Sequence, residues 1–268
     1  WDLYEKAYTP WEWHEALYEK ASNLGLLYFS SSFDHTAVDF NEEFNVFAHK
    51  VASPEIFDIP LLKKIASTGK PVFMSTGLAV LDDIKLAVNT LKGGGVSNII
   101  LLKCTTSYPT PFDDLNLKTI PDMSKRFDLN VGLSDHSPGI VASTLSVGYG
   151  VVAIEKHIKL NDDIKTVDSD FSSSEVEFAA MAKAVRQAER AIGKVCYDLT
   201  DSAAKNINGS RSLYVTKSIR AGDIFSEQNI RSVRPGFGLH PKHYYDVMGR
   251  RAKRDLEFGD ALNWESVE

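Results

Sequence analysis

Short apolar runs alternate with amphipathic segments along most of the chain. Six runs rich in β-branched or other apolar residues predict strands at residues 26–30, 47–52, 71–75, 98–103, 130–134 and 151–156. Five segments with apolar residues at three- and four-residue spacing predict helices at residues 59–66, 81–91, 120–127, 140–147 and 175–192. Such alternation is typical of an α/β protein with a parallel sheet.

The pattern changes after Gly193. Residues 194–210 are mostly polar and predict a linker, and residues 211–268 read as short strands separated by glycine-containing turns. We therefore expect one domain over residues 1–193 and a small β-rich domain over residues 211–268. A domain of that size is only marginally able to build its own core, so docking onto other surfaces would stabilise it.

Polar residues suited to binding follow every predicted strand. They are Ser30 to Ser32, Lys50 and Ser53, Ser75 and Thr76, Lys103 with Thr105 and Thr106, Ser134 to His136, and Glu155 to His157. A single serine or threonine in such a place can simply cap the next helix. Six strand ends that carry lysines, histidines and a glutamate instead predict a site at the C-terminal rim of a (β/α)8 TIM-type barrel.

Six strand–helix units are too few to close such a barrel, which needs eight. The chain also begins at Trp1 without a methionine, in a stretch that reads as the middle of a helix. The expectation is that about the first two βα units of the barrel are absent from this chain.

Two histidines, His136 and His157, follow consecutive predicted strands in matched contexts. A lone histidine after a strand is usually structural, but the matched pair predicts two imidazole ligands for one divalent metal ion. The nearby acids Asp135, Glu155 and Asp168 are candidates for proton acceptors or for partners of the histidines, and each could equally be a surface carboxylate.

Lys50, Ser53, Ser75 and Ser134 form a second candidate cluster, suited to a phosphate or carboxylate. The alternative for Lys50 is that its side chain extends to solvent. A metal site beside an anion pocket indicates chemistry on a carbonyl group that the metal polarises while a small acid or phosphate is held alongside.

Composition limits the classes of partner. The chain has 268 residues, a formal net charge of −6 and no long basic cluster, which argues against nucleic-acid binding. It contains no apolar run long enough to span a membrane. Only Cys104 and Cys196 are present, so a disulfide framework is implausible and a cytoplasmic location is expected.

Several motifs, taken together, resemble the sialic acid synthase family over essentially the whole chain. They are SSSFD (30–34), KVAS (50–53), STG (75–77), LLKCTTSYPTP (101–111), GLSDHS (132–137), IEKH (154–157), RSL (211–213) and VRPGFGLHP (233–241). The tail resembles the antifreeze-like, or SAF, domain of these enzymes. Three stretches, TPWEWH (9–14), VDSDFS (167–172) and RPGFGLHPK (234–242), are closer to the pseudaminic acid branch of the family.

The resemblance implies a phosphoenolpyruvate-dependent transferase that forms a carbon–carbon bond with an N-acylated amino-sugar and releases phosphate. The implied product is pseudaminic acid, with N-acetylneuraminic or legionaminic acid as alternatives. Two other readings stay open: a different metal-dependent barrel enzyme, which the SAF-like tail argues against, and an inactive product that acts only as an assembly module.

The resemblance also assigns roles to residues of this sequence. It implies that His136 and His157 bind Mn²⁺ or Mg²⁺, that Glu155 transfers a proton, and that Asp168 and Tyr108 face the sugar. It implies that phosphoenolpyruvate is bound by Lys50, Ser53, Ser75, Thr106 and Ser134. A domain-swapped homodimer is expected, in which Arg234 reaches the N-acyl sugar in the other subunit.

The sequence departs from the family pattern in three places. Thr106 stands where sialic acid synthases more often have asparagine, and the stretch SSSF (30–33) replaces the commoner SSPF. The first two barrel strands of the family, which carry a catalytic glutamate and a phosphate-contacting lysine, have no counterpart here. The fragment by itself is therefore expected to be inactive.

Overall fold

The protein is described by a computed structural model, which covers residues 8–161, 163 and 165–268. The chain forms two compact units, Trp1–Gly193 and Lys194–Glu268. No helix within the described part of the chain is both long and apolar enough to cross a bilayer.

The first unit is built on a five-stranded parallel sheet in which each strand pairs with the next in sequence. The strands are β1 (His49–Val51), β2 (Val72–Ser75), β3 (Ile99–Cys104), β4 (Asn130–Asp135) and β5 (Ile154–Lys156). A sequential parallel order with intervening helices is that of a partial (β/α)8 barrel, which confirms the expected fold class.

Helices flank the sheet in the first unit. They are α1 (His14–Asn23), α2 (His35–Glu43), α3 (Ile59–Ala66), α4 (Leu81–Gly93), α5 (Thr119–Phe127), α6 (Val141–Ser146) and α7 (Glu175–Ile192). The predicted helices at 59–66 and 175–192 are confirmed to the residue, and the other three are confirmed within two residues at each end. Helices α1 and α2 were not among the elements predicted from apolar periodicity.

The prediction of a strand at residues 26–30 is wrong. That segment forms no strand; the chain joins the sheet at a parallel bridge between Ser31 and Lys50, and the Phe29 ring stacks on that of Phe73 in β2. Leu26 and Leu27 are 60% and 68% exposed, whereas apolar runs in a parallel sheet are normally covered on both faces. An apolar run is therefore an ambiguous indication of a strand, because it does not show whether neighbouring strands or helices are present to cover it.

The core of the first unit lies between the sheet and its helices. Met74, Leu101 and Leu133 on the strands are essentially fully buried, as are Leu62 and Leu91 on α3 and α4. Burying one such side chain contributes roughly 1.5–3 kcal/mol to folding. This packing fixes the direction of each strand, and with it the edge at which the strands end.

The second unit has a core of its own, which contains Leu213, Phe225, Ile230 and Leu262. Its strands β6 (Ser212–Val215) and β7 (Ile230–Val233) form an antiparallel pair. Its short helices are α8 (Asp201–Ala204) and α9 (Tyr244–Val247). The small antiparallel sheet confirms the expected β-rich tail, while the bounds of the linker stay a prediction.

Candidate active site

A cavity of about 390 Å³ opens at the carboxyl ends of the five strands. It is lined by Ser31, Lys50, Ala52, Ser53, Pro54, Ser75, Cys104, Tyr108, Ser134, His136, Glu155, Lys156 and His157. Eight of the eleven residues that were assigned a catalytic, binding or metal role from the sequence therefore line one space. The strand ends bring them together because all five strands run in the same direction.

Lys50 lies in the floor of this cavity rather than in solvent. Its Nζ atom donates hydrogen bonds to Oγ of Ser75 at 2.9 Å and to the carbonyl of Val51 at 3.0 Å, and its side chain is 8% exposed. The alternative in which Lys50 extends to solvent is therefore wrong. Burial lowers the pKa of Lys50, and the nearby Glu155 carboxylate opposes that shift.

Glu155 lies between the lysine and the opening of the cavity. Its Oε1 atom accepts a 2.7 Å hydrogen bond from Ser134 and lies 3.6 Å from Nζ of Lys50. The carboxylate side chain is 42% exposed, so it is open to a ligand as well as to these two partners. A carboxylate so placed can exchange a proton with a molecule in the cavity.

The two histidines meet above the same cavity, with ring centroids 5.3 Å apart. Nδ1 of His136 lies 3.0 Å from the carbonyl of Thr105, and Nδ1 of His157 lies 3.6 Å from the Asp168 carboxylate. Histidines that bind metals commonly direct their second nitrogen at a carbonyl or carboxylate in this way. The Nε2 atoms are thus the ones available to a ligand.

The spacing of the rings fits a shared divalent ion. Two imidazole nitrogens at about 2.1 Å from one ion, at a tetrahedral angle, place their ring centroids roughly 5 Å apart. Among the residues that the structure describes, no three His, Cys, Asp or Glu side chains converge as a metal-binding group. Among these residues, His136 and His157 are the two candidate ligands.

The two imidazoles have different proton affinities. Burial by itself lowers the pKa of His136, but contacts with the Cys104 thiol and the Thr105 carbonyl outweigh it and leave the pKa above its ordinary value. Burial lowers the pKa of His157, and the neighbouring His136 lowers it further. His157 is therefore the more readily neutral of the two, as a metal ligand must be.

Cys104 is a residue of the cavity that the sequence analysis missed as a site residue. Its Sγ atom lies 4.0 Å from Nδ1 of His136 and 3.6 Å from Oγ of Ser53. Burial raises the pKa of this thiol, but the contacts with His136 and Ser53 outweigh burial and lower it overall. The available signal was its position between Lys103 and Thr105, two polar residues at the end of β3.

Ser53 and Thr106 surround a glycine at the base of the cavity. Oγ of Ser53 accepts a 3.0 Å hydrogen bond from the backbone N–H of Gly77. Thr106 does not line the cavity: its hydroxyl packs beside the same glycine, buried and without a hydrogen-bond partner in the described part of the chain. The structure thus places Thr106 behind the surface on which the other predicted anion ligands lie.

Aromatic rings border the cavity beside the histidines. The Tyr108 ring lies 4.3 Å from that of His136, and the Phe171 ring lies 4.9 Å from that of His157 and 4.8 Å from that of Tyr108. Phe171, which the sequence analysis did not single out, lies three residues after Asp168. This wall offers an apolar surface next to the exposed carboxylate of Asp168, a combination suited to a substituted sugar.

Arg234 lies in the second unit, exposed and directly after β7. The structure places this side chain on the surface of the second unit. Its predicted role in a sugar site stays a prediction.

Comparison with known proteins identifies relatives for both units. The model of the NeuB family matches residues 1–197, and that of the SAF domain matches residues 210–268. A pseudaminic acid synthase of Campylobacter jejuni is 45% identical over 262 residues, which are 98% of this chain and 76% of that protein. An N,N'-diacetyllegionaminic acid synthase of the same species is 37% identical over 91% of this chain and 74% of that protein.

A solved structure resembles the chain as well. The N-acetylneuraminic acid (sialic acid) synthetase of Leptospira borgpetersenii, crystallised with citrate, superposes with a TM-score of 0.71 at 29% identity. The match covers 77% of this chain and 72% of that one.

Proposed function

Because this chain belongs to the NeuB family and is a carbon–carbon bond-forming transferase of the sialic acid synthase type, we propose that its product is pseudaminic acid. The proposed substrates are phosphoenolpyruvate and 2,4-diacetamido-2,4,6-trideoxy-altrose in its open-chain aldehyde form. Homologues that carry the name pseudaminic acid synthase support this choice over the legionaminic and N-acetylneuraminic products. The observation that carries the proposal is the convergence of Lys50, Glu155 and the two histidines on one cavity.

The floor of the cavity is suited to the phosphate and carboxylate of phosphoenolpyruvate. Lys50 supplies a buried positive charge, and the hydroxyls of Ser53, Ser75 and Ser134 supply donors around it. A charge-assisted hydrogen bond in a buried site is stronger than one between neutral groups. These residues would bind the anion and orient its enol carbon towards the opening of the cavity, with Thr106 supporting them from behind.

The reaction joins two molecules and breaks one carbon–oxygen bond. The enol carbon attacks the aldehyde carbon, water adds to the former C2 of phosphoenolpyruvate, and the resulting tetrahedral centre expels phosphate. Glu155 would exchange the proton that moves between the attacking water and the reacting oxygens, and its place in the cavity beside Ser134 supports this role. Tyr108 and Asp168 would hold the sugar against the aromatic wall.

His136 and His157 would hold a divalent cation, Mn²⁺ or Mg²⁺. When bound, such an ion supplies a Lewis acid that polarises the aldehyde oxygen. The arrangement of both Nδ1 atoms towards acceptors, with Nε2 left for the ion, supports this assignment.

We further propose that the enzyme works in the cytoplasm as a homodimer in which the second unit of one subunit contributes Arg234 to the sugar site of the other. The exposed guanidinium of Arg234 supports this role, because a planar donor group can bind an N-acyl oxygen.

Phosphate release by a chain that carries all eight barrel strands tests the proposed function. With phosphoenolpyruvate and Mn²⁺, the 2,4-diacetamido sugar is expected to give at least about tenfold higher kcat/KM than N-acetylmannosamine, because a missing polar contact typically costs that much or more. His157→Ala is expected to abolish metal-dependent turnover while circular dichroism stays unchanged. No release with any N-acylated six-carbon sugar would refute the synthase assignment and favour an assembly module instead.

A further inference from the structure

Three successive residue pairs join the ends of β4 and β5. They are a 2.7 Å hydrogen bond from Ser134 to Glu155, a 2.9 Å ion pair between Asp135 and Lys156, and the two imidazoles of His136 and His157 with centroids 5.3 Å apart. The middle pair is the one to which the proposed reaction assigns no role.

The middle pair lies on the opposite face of the sheet from the other two. Successive side chains of a strand point to opposite faces, so Asp135 and Lys156 turn away from the cavity that their neighbours line. Their side chains are 0% and 1% exposed, and the part of Lys156 that borders the cavity is therefore main chain. The ion pair is thus buried directly behind the two histidines.

Asp135 is fully occupied by donors from three parts of the chain. Its carboxylate accepts hydrogen bonds from the N–H and Oγ of Ser137, from Oγ of Ser143 on α6 and from Nζ of Lys156. Lys156 also donates to the carbonyl of Ser137. The network therefore ties β4, β5, the loop after β4 and helix α6 to a single carboxylate.

Strand β5 is the short element that this network anchors to β4 and α6. It is three residues long and pairs with β4 over three positions in the described part of the sheet. His157 follows its last residue; its carbonyl accepts a 2.9 Å hydrogen bond from the N–H of Ser173, whose own carbonyl accepts one from the N–H of Lys159. A buried ion pair is a weak source of stability compared with apolar packing, but its directional bonds can select one register.

We propose that the Asp135–Lys156 ion pair is a positioning device that sets the separation and orientation of His136 and His157. This inference rests on the proposed metal site. Loosening the pair changes the geometry offered to a divalent ion without removing either ligand.

Two serines of α6 provide a matched pair of variants. Ser143 and Ser146 are both fully buried and each donates one hydrogen bond through its hydroxyl, but Ser143 bonds the Asp135 carboxylate whereas Ser146 bonds the carbonyl of Ser143. Ser143→Ala and Ser146→Ala therefore remove the same group at the same depth. Only the first touches the ion pair.

Co²⁺ is the probe, because its visible absorption reports the geometry as well as the occupancy of the site. The protein, freed of any histidine tag, is titrated with CoCl₂ without substrates, with His157→Ala as the variant that lacks a ligand. Ser143→Ala is expected to raise the Kd for Co²⁺ about threefold and Asp135→Asn about tenfold or more, with shifted absorption bands, as for residues that orient metal ligands. Ser146→Ala is expected to keep the Kd and spectrum of the wild type.

The outcomes separate the two proposals. Wild-type Kd and spectrum in both Ser143→Ala and Asp135→Asn would overturn the positioning role while leaving the metal site intact. An equal loss in Ser143→Ala and Ser146→Ala would overturn it too, since that loss would follow general loosening of α6. If the wild type binds no Co²⁺, or if His157→Ala binds it equally well, the proposed metal site fails and the inference fails with it. If Asp135→Asn does not fold, the comparison of Co²⁺ binding by Ser143→Ala and Ser146→Ala tests the positioning role by itself.

Discussion

Gly77 shows how single residues shape the cavity. It follows the last residues of β2, and a Cβ atom built on it would lie 2.9 Å from both Sγ of Cys104 and Oγ of Ser53, and closer still to the hydroxyl of Thr106. Its φ angle is one that any residue can adopt, so glycine is required here because a side chain would collide with its neighbours. The base of the anion pocket is therefore packed so tightly that one methyl group must displace its walls.

Gly77→Ala is expected to raise the KM for phosphoenolpyruvate at least about tenfold, because Ser53 must move and small misplacements of binding groups are costly. Steady-state kinetics with varied phosphoenolpyruvate measure the change. Gly148→Ala is the control, since a Cβ there meets no atom within 4 Å and the φ angle is unexceptional. An unchanged KM in Gly77→Ala would contradict the placement of the pocket.

At the scale of elements, the start of α7 determines where the segment before it can lie. Ser174 caps the helix, Glu177 completes a capping box, and the segment that contains Asp168 and Phe171 runs directly into this cap. A capping box satisfies N–H groups that have no partner inside the helix. The cap anchors one end of the segment beside His157.

Ser174→Ala is expected to reduce the free energy of unfolding of the first unit by about 1 kcal/mol, the usual cost of losing an N-cap. In a unit of this size that corresponds to a fall in Tm of about 2–4 °C, measured by scanning calorimetry. Ser67→Ala serves for comparison, because the Ser67 hydroxyl is exposed and donates to the carbonyl of Lys64 instead of capping an N–H group. Equal shifts in the two variants would argue against the cap.

At the scale of the whole molecule, the chain between the two cores is accessible. Val195 is 88% exposed and Tyr197 is 98% exposed, and neither belongs to a helix or strand. Exposed segments without regular structure are preferred sites of proteolysis.

Brief chymotrypsin treatment is therefore expected to cut first after Tyr197 and to leave two resistant fragments, identified by intact mass. Tyr197→Ser is expected to slow this first cut severalfold, while Tyr245→Ser, which removes another highly exposed tyrosine within the second unit, leaves it unchanged. A first cut inside residues 211–268 would contradict an independently folded second unit.

Much of the candidate site followed from local sequence. Apolar periodicity located five of the seven helices described in the first unit because it reports which face of a helix is buried, and His136 and His157 were found because each follows a strand. The carboxyl ends of parallel strands share an edge, so residues far apart in the chain could be grouped before any contact was seen. The SAF-type tail was identified by its motif, and its small antiparallel sheet agrees with that identification.

The sequence by itself determined the strand–helix order and the edge where the polar groups gather, since both depend on patterns a few residues long. Only the tertiary structure decided that residues 26–30 form no strand, that Thr106 lies behind the cavity and that Cys104 and Phe171 border the histidines. It also decided that Asp135 bonds Lys156 instead of facing a ligand. Those outcomes depend on which surfaces pack together. Packing brings into contact residues that are far apart in the chain, and short sequence patterns do not indicate which of them will meet.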